Sequence, residues 1–416
     1  MKLKSILLSI AGLLTLTSQA SDFRYVGGDI SLLPTYIEAG SQYQDTEGNS
    51  IVLLPYLYEM GMNAMRVRLF VDPGKFLAEH PNADPNACQS LPYIIPLCQD
   101  IVEQGFDLML DFHYSDTWAD PAAQWIPDAW KGLNDVELAD SVYNYTKNTL
   151  TVLRANGVVP RFIQPGNEIS YGMLWAEYGK DIPGNHVYTN SSAASWERFG
   201  SFLKAATKAC REECPDAEIV IHTERAAQVN VLTNFYDKMK SLDIDYDIIG
   251  LSYYPYFHGN ISVLDNALTT LESRYPDRPI MIVETGCPIW WSIGDNDKQF
   301  YPLSLEGQNQ FAKDLVNTLL AHPNVNGLFW WWLEYNPYGT QLQNWYNAPL
   351  FDPQSGRATP ALKTICGFGT GHDGIESIQA ESNLRSDKWY DLNGREVRSP
   401  EKTGIYIHNN KKIFIK

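Results

Sequence analysis

Two glutamates carry the strongest chemical signal in the chain: Glu168 in Phe162-Ile163-Gln164-Pro165-Gly166-Asn167-Glu168 and Glu284 in Ile280-Met281-Ile282-Val283-Glu284-Thr285. Each stands where a short apolar run gives way to polar residues. A carboxyl at the end of a buried strand is held rigidly at the mouth of a fold. Two such groups supply what substitution at a sugar carbon requires, one as proton donor and one as nucleophile or base. The pair therefore points to glycoside hydrolysis.

The same strand-end reading collects Arg66, Asp111, His113, Asn167, His222 and Tyr254, with Trp331 on the last apolar run. Taken singly, each has a structural explanation in pairing or core packing. Taken together they describe a polar cleft with aromatic walls, and the 12 Trp and 24 Tyr of the chain suit a partner whose sugar rings present apolar faces.

These residues need a frame that brings strand ends together. Eight apolar runs read as strands: Tyr25–Asp29, Ala64–Phe70, Asp107–His113, Phe162–Gln164, Glu218–His222, Ile248–Tyr254, Ile280–Val283 and Gly327–Trp331. Between them lie stretches with helical apolar spacing, such as Val136–Asn156, Ala193–Cys214 and Gln308–Ala321. Strands alternating with helices eight times predict an α/β fold, a (β/α)8 TIM barrel, with active-site residues at the C-terminal strand ends. An open doubly wound sheet is disfavoured because no Gly-rich phosphate loop follows the first strand.

The flanks read differently. Residues 1–20 combine Lys2 and Lys4 with an apolar stretch and a small residue at Ala20, the pattern of a cleaved secretory signal. Residues 21–367 form the expected catalytic domain. From 368 to 416, Gly-rich residues read as a linker, and Asn393-Gly394 with the runs Gly404–Ile407 and Lys412–Lys416 reads as a small C-terminal β appendage.

Composition narrows the partners. With 32 basic and 49 acidic residues the net charge is −17, which argues against nucleic acid and anionic membranes. No later apolar run is long enough for a transmembrane segment. The six cysteines permit disulfides in an exported protein; Cys88 and Cys98 are placed to close a loop, whereas Cys210 and Cys214 sit one helical turn apart, where bridging geometry is poor.

Six motifs are specific beyond this general pattern: Gly27-Gly28-Asp29-Ile30-Ser31, Asn63-Ala64-Met65-Arg66-Val67-Arg68, Asp111-Phe112-His113-Tyr114-Ser115-Asp116-Thr117-Trp118-Ala119-Asp120-Pro121, Gly166-Asn167-Glu168-Ile169, Ser252-Tyr253-Tyr254-Pro255 and Val283-Glu284-Thr285. Over residues 22–366 the chain resembles glycoside hydrolase family 53, the arabinogalactan endo-β-1,4-galactanases. The resemblance implies a retaining enzyme that cuts β-1,4-galactan, the side chains of pectin, into galacto-oligosaccharides. Glu168 would be acid/base and Glu284 nucleophile. Asn167 would hold the 2-hydroxyl, Arg66 and Tyr254 would orient Glu284 and keep it ionised, and Asp111, His113, Trp118 and Trp331 would serve the sugar cleft.

No cofactor is implied for catalysis, and the chain is expected to act as a monomer. Several bacterial relatives carry calcium in the loop after the seventh strand, so Asp295 and Asp297, with Asn296, are the candidate ligands here. The alternative for the same loop is that Trp290 and Trp291 instead make an added substrate platform. The tail from Trp389 to Lys416 resembles C-terminal sorting modules of exported proteins in some Gram-negative bacteria, which implies a cell-surface, extracellular or periplasmic location. Two alternatives stay open: another retaining barrel glycosidase acting on β-mannan or β-glucan, and a non-catalytic galactan-binding surface protein.

Overall fold

The structure, a computed structural model, describes residues 23–293 and 299–370 and the backbone of four short strands between 389 and 415. Eight parallel strands close into a barrel. Numbered in chain order, they are β1 Tyr25–Asp29, β2 Ala64–Leu69, β3 Asp107–Phe112, β4 Phe162–Pro165, β5 Glu218–Thr223, β6 Ile248–Tyr253, β7 Ile280–Thr285 and β8 Val325–Trp330. All eight coincide with the expected runs. They read as continuous apolar stretches because barrel strands are buried on both faces, and every residue of β2, β6 and β7 is buried.

Met109, Phe162, Val220, Ile248, Met281, Val283 and Phe329 fill the barrel interior as a separate apolar cluster. Outside it, helices such as Leu91–Gln104, Asp135–Ala155, Ala193–Glu213 and Leu305–Leu320 press their apolar faces on the strands. The longest begin at clear signals. Asn134 and Glu137 form a reciprocal capping box, and Ser192 and Ser304 accept from backbone N–H groups of the first turn. Gly27 is required where β1 meets β2, because a Cβ there would lie 1.6 Å from the Ala64 carbonyl oxygen.

One irregularity bears on the site. In the β6–β7 pairing Leu251 faces Ile282 but Ser252 faces Glu284, so Val283 is an extra residue. A bulge turns the strand locally and re-aims the next side chain, here Glu284.

Two features go beyond what the local sequence reports. The helix Pro360–Thr370 runs through the Gly-rich start of the expected linker, and Phe368 is fully buried. Gly369 marks close packing there, since a Cβ would lie 2.9 Å from Val26 Cγ1. No disulfide forms: all six cysteines are free, and Cys98 sits on the buried face of the helix that starts just after Cys88.

Farther on, Trp389–Tyr390, Glu396–Val397, Gly404–His408 and Lys411–Ile415 form an antiparallel four-stranded sheet. Among the described residues no helix is long and apolar enough to cross a membrane.

Candidate active site

A cavity of about 550 Å³ opens at the C-terminal ends of the barrel strands. Glu168, after β4, and Glu284, on β7, both line it. So do His113, Trp118, Asn167, Tyr254 and Trp331. Arg66 and Asp111 do not; both are fully buried below the floor and act through the groups above them.

Arg66 is the hub of that floor. Its Nη2 lies 3.0 Å from Glu284 Oε1, 2.8 Å from Asp111 Oδ2 and 2.9 Å from Asn167 Oδ1. Its Nη1 donates to Asp29 Oδ2 at 3.1 Å and its Nε to Gln164 Oε1 at 3.3 Å. A guanidinium presents five N–H donors in a planar fork, and here they gather five acceptor residues from the ends of four strands, β1, β3, β4 and β7. Tyr254 donates from its hydroxyl to the other oxygen of Glu284 at 3.0 Å.

His113 is held as a neutral donor. Its Nδ1 accepts from the Ala119 N–H at 3.1 Å, which leaves the proton on Nε2, 3.1 Å from Asp111 Oδ2. Asn167 gives one amide proton to the Ala119 carbonyl at 2.9 Å, and the Gln124 amide holds its backbone carbonyl at 2.8 Å. Its side chain is therefore fixed beside the two carboxyls before any ligand arrives.

The two glutamates differ in environment. Burial pushes the Glu284 carboxyl up to about 7, while Arg66 pulls it back. Burial likewise holds Glu168 well above the usual carboxylate range, and there the charges of Glu284 and Glu224 add to the effect. Among the described residues no cation is paired with Glu168, so of the two groups it keeps its proton to higher pH. Its backbone also departs from the ordinary: Glu168 has φ +48°, in the left-handed region, following Gly166 at φ +101°. Such strain persists where the surroundings over-determine it, and the sharp turn brings Asn167 and Glu168 to the cavity together.

The aromatic walls are packed against one another. Trp331 meets Trp332 edge-on at 4.8 Å and Tyr346 at 5.4 Å, and Trp118 stands 6.3 Å from Trp331. Trp118 is anchored by its N–H to Asp84 at 2.8 Å. The Arg68 guanidinium lies over both the Trp118 and Trp332 rings, 4.8 and 4.9 Å from their centroids.

Several lining residues escape a reading by sequence: Asp120, Glu224, Tyr256, Trp332 and Trp345. Glu224 carries the same strand-end signal as Glu168, directly after β5, and the Trp330-Trp331-Trp332 run marks the wall. Trp345 lies in an irregular segment with no periodicity to place it. Trp290 and Trp291 tilt against each other at 5.9 Å and line no part of the cavity. Asp295, Asn296 and Asp297 lie outside the described residues.

A (β/α)8 barrel whose mouth holds two carboxyls in unlike settings, one buried on an arginine and a tyrosine and one half-buried without a cation among the described residues, defines a barrel glycoside hydrolase. Residues 25–365 match Glycosyl hydrolase family 53, and the chain belongs to that family. It is 34% identical to an uncharacterized protein of Niallia circulans, over 79% of this chain and 89% of that one. It is 30% identical to a probable arabinogalactan endo-β-1,4-galactanase A of Neosartorya fischeri, again over 79% and 89%. Among solved structures, the Ignisphaera aggregans family 53 catalytic domain superposes with a TM-score of 0.71 at 32% identity, covering 84% of this chain and 96% of that one.

Proposed function

We propose that the chain is a retaining endo-β-1,4-galactanase that cuts internal bonds of the galactan side chains of pectin. The observation that carries the reading is the asymmetry of the carboxyl pair: Glu284 gripped by Arg66 and Tyr254 at 3.0 Å each, Glu168 without a cation among the described residues. The galactanase names of the relatives support the substrate class.

The chemistry follows from that asymmetry. Ionised Glu284 attacks the anomeric carbon while Glu168 gives its proton to the glycosidic oxygen, and the carbon–oxygen bond to the leaving sugar breaks. Once Glu284 is an ester it carries no charge, so the repulsion that kept Glu168 protonated disappears. Glu168 then takes a proton from water as that water attacks the anomeric carbon and frees Glu284. Two carboxyls and water suffice, and no cofactor takes part. Asn167 supports the reaction from the glycone side, where a hydrogen bond to the 2-hydroxyl tightens in the transition state.

Export is part of the reading: residues 1–20 direct secretion and the β-strands after Trp389 serve sorting, so the substrate is met outside the cytoplasm.

The test is product analysis on unbranched β-1,4-galactan, with β-1,3-galactan, β-mannan and cellulose alongside. Short β-1,4-galacto-oligosaccharides released from the first substrate alone, with the β-anomer formed first, are expected. Glu168→Gln and Glu284→Gln should each lower turnover by about 10³-fold or more. Preferential cleavage of mannan or cellulose would replace the substrate assignment, and binding without cleavage would remove the enzymatic one.

A further inference from the structure

Beneath Glu168 runs a hydrogen-bond chain that the reaction steps above do not use. His222 on β5 and Ser252 on β6 are both fully buried. His222 Nε2 lies 2.9 Å from Ser252 Oγ, and Ser252 Oγ lies 2.6 Å from Glu168 Oε1. The direction of every proton in this chain can be worked out from its far end.

The Glu168 backbone N–H points at His222 Nδ1 at 3.3 Å, and a backbone N–H can only donate. Gln164 Nε2 reaches the same nitrogen at 3.1 Å. The orientation of that amide is itself settled, because Gln164 Oε1 accepts from Arg66 and Nε2 donates to Asp111 Oδ1 at 2.6 Å. A flipped amide would set donor against guanidinium and acceptor against carboxylate. With two donors aimed at it, Nδ1 is bare. Asn167 Oδ1, 3.1 Å away, is a second acceptor near the same Gln164 amide, 3.4 Å from it.

The imidazole is neutral, since burial and the nearby Arg66 charge both disfavour its cation. A neutral ring with a bare Nδ1 carries its proton on Nε2 and donates to Ser252 Oγ. The serine proton is then directed to Glu168 Oε1. Among the described residues Glu168 Oε2 receives no hydrogen bond, and it is the oxygen left to the cavity that Glu168 lines.

We propose that Ser252, oriented by His222, is a positioning residue that keeps Glu168 Oε1 as an acceptor and so places the acid proton on Oε2, the oxygen that faces the leaving group. The inference rests on Glu168 being the acid. In the bond-breaking step the proton on Oε2 passes to the glycosidic oxygen, the bond to the anomeric carbon breaks, and Ser252 keeps its own proton throughout. Its hydrogen bond shortens the search for the productive proton position, which is an orientation effect rather than a proton transfer.

Leaving-group dependence separates this role from a structural one. The substrates are β-1,4-galactan, whose leaving sugar needs the proton, and a 2,4-dinitrophenyl β-galactobioside, whose phenolate leaves without one. In Ser252→Ala, kcat/KM on galactan should fall by about 10- to 100-fold, a part of what acid catalysis supplies, with a far smaller fall on the dinitrophenyl substrate. The alkaline limb on galactan should also move to higher pH, because the Ser252 bond lowers the Glu168 pKa. Glu284, Glu224 and Asp120, the other charges acting on Glu168, are unchanged in the variant. Ser252→Thr, which keeps the hydroxyl, should recover the galactan rate. Ser252→Cys fills the same space with a weak donor and should repeat the split between substrates.

Equal losses on both substrates in the Ala and Cys variants, or an alkaline limb that stays in place, would overturn the proposal. A wild-type protein inactive on galactan overturns the substrate reading instead, and Ser252→Ala is then compared on whichever control glycan the wild type cleaves and on the dinitrophenyl glycoside of the same sugar, where equal losses again overturn the role of Ser252.

Discussion

Arg66 and Glu284 meet across the barrel mouth, Nη2 to Oε1 at 3.0 Å, from strands β2 and β7. The arginine is fully buried, and burial opposes its charge, but Asp111, Glu284 and Asp29 together hold it protonated. It is therefore a permanent cation seated under a carboxyl that burial alone would neutralise.

The pH profile should register that cation. Activity needs Glu284 ionised, so the acid limb follows Glu284, whose carboxyl stands up at about 7 even with Arg66 beside it. Removing the charge in Arg66→Met takes away the downward pull, and the acid limb should move to higher pH. The loss of a preorganised donor at the reacting carboxyl should cost about 10²- to 10³-fold in kcat. An acid limb that does not move in a folded Arg66→Met protein would mean that Glu284 does not set it.

Trp331 should act on binding more than on chemistry. It lines the cavity and is held edge-on by Trp332 and Tyr346. Trp331→Ala removes an apolar face worth roughly 1.5–3 kcal/mol, about 10- to 100-fold in affinity. Titration of galacto-oligosaccharides into a Glu284→Gln background with and without Trp331 measures it directly; unchanged affinity would remove Trp331 from the binding face.

All six cysteines are free, and Cys98, Cys210, Cys214, Cys287 and Cys366 are buried. Burial raises each of these thiols above its ordinary pKa, which makes them poor nucleophiles. The melting temperature should be the same with and without dithiothreitol. A thiol reagent should count six groups in the denatured, unreduced chain; four or fewer would reveal a bridge.

Glu334 offers a stability test away from the reacting atoms. It is fully buried, accepts from the Leu32 N–H at 2.7 Å, and its other oxygen has no partner among the described residues. Burial, with Asp29 nearby, pushes it up to about 8, against the pull of Arg68. A carboxyl whose folded pKa is raised contributes full stability below its unfolded value near 4.5, and that contribution is lost as pH rises toward 8. Glu334→Gln imitates the protonated acid at every pH. Its melting temperature relative to wild type should therefore rise between pH 5 and pH 9, and a constant difference would show that Glu334 does not titrate in that range.

Much of the frame was legible because a closed parallel barrel buries both faces of each strand, so β2, β6 and β7 announce themselves as unbroken apolar runs. Glu168 and Glu284 were legible for the same reason, as polar residues ending such runs. The helix through Gly367–Thr370 was not. Its glycines read as a linker, yet Gly369 serves close packing against Val26, a contact between the two ends of the barrel domain that no local pattern reports. The free cysteines were equally hidden, since bridging depends on where Cys88 and Cys98 end up in space.

By itself the sequence determined which chemical groups stand at strand ends and how strands and helices alternate, because period and apolarity act over a few residues. Only the tertiary structure decided which glutamate sits on a cation, which nitrogen of His222 is bare and which oxygen of Glu168 is left to the cavity. Those are properties of groups 2.6–3.3 Å apart that belong to different segments of the barrel. Burial and hydrogen-bond direction arise when the barrel closes, so they are written in distances that a linear chain does not contain.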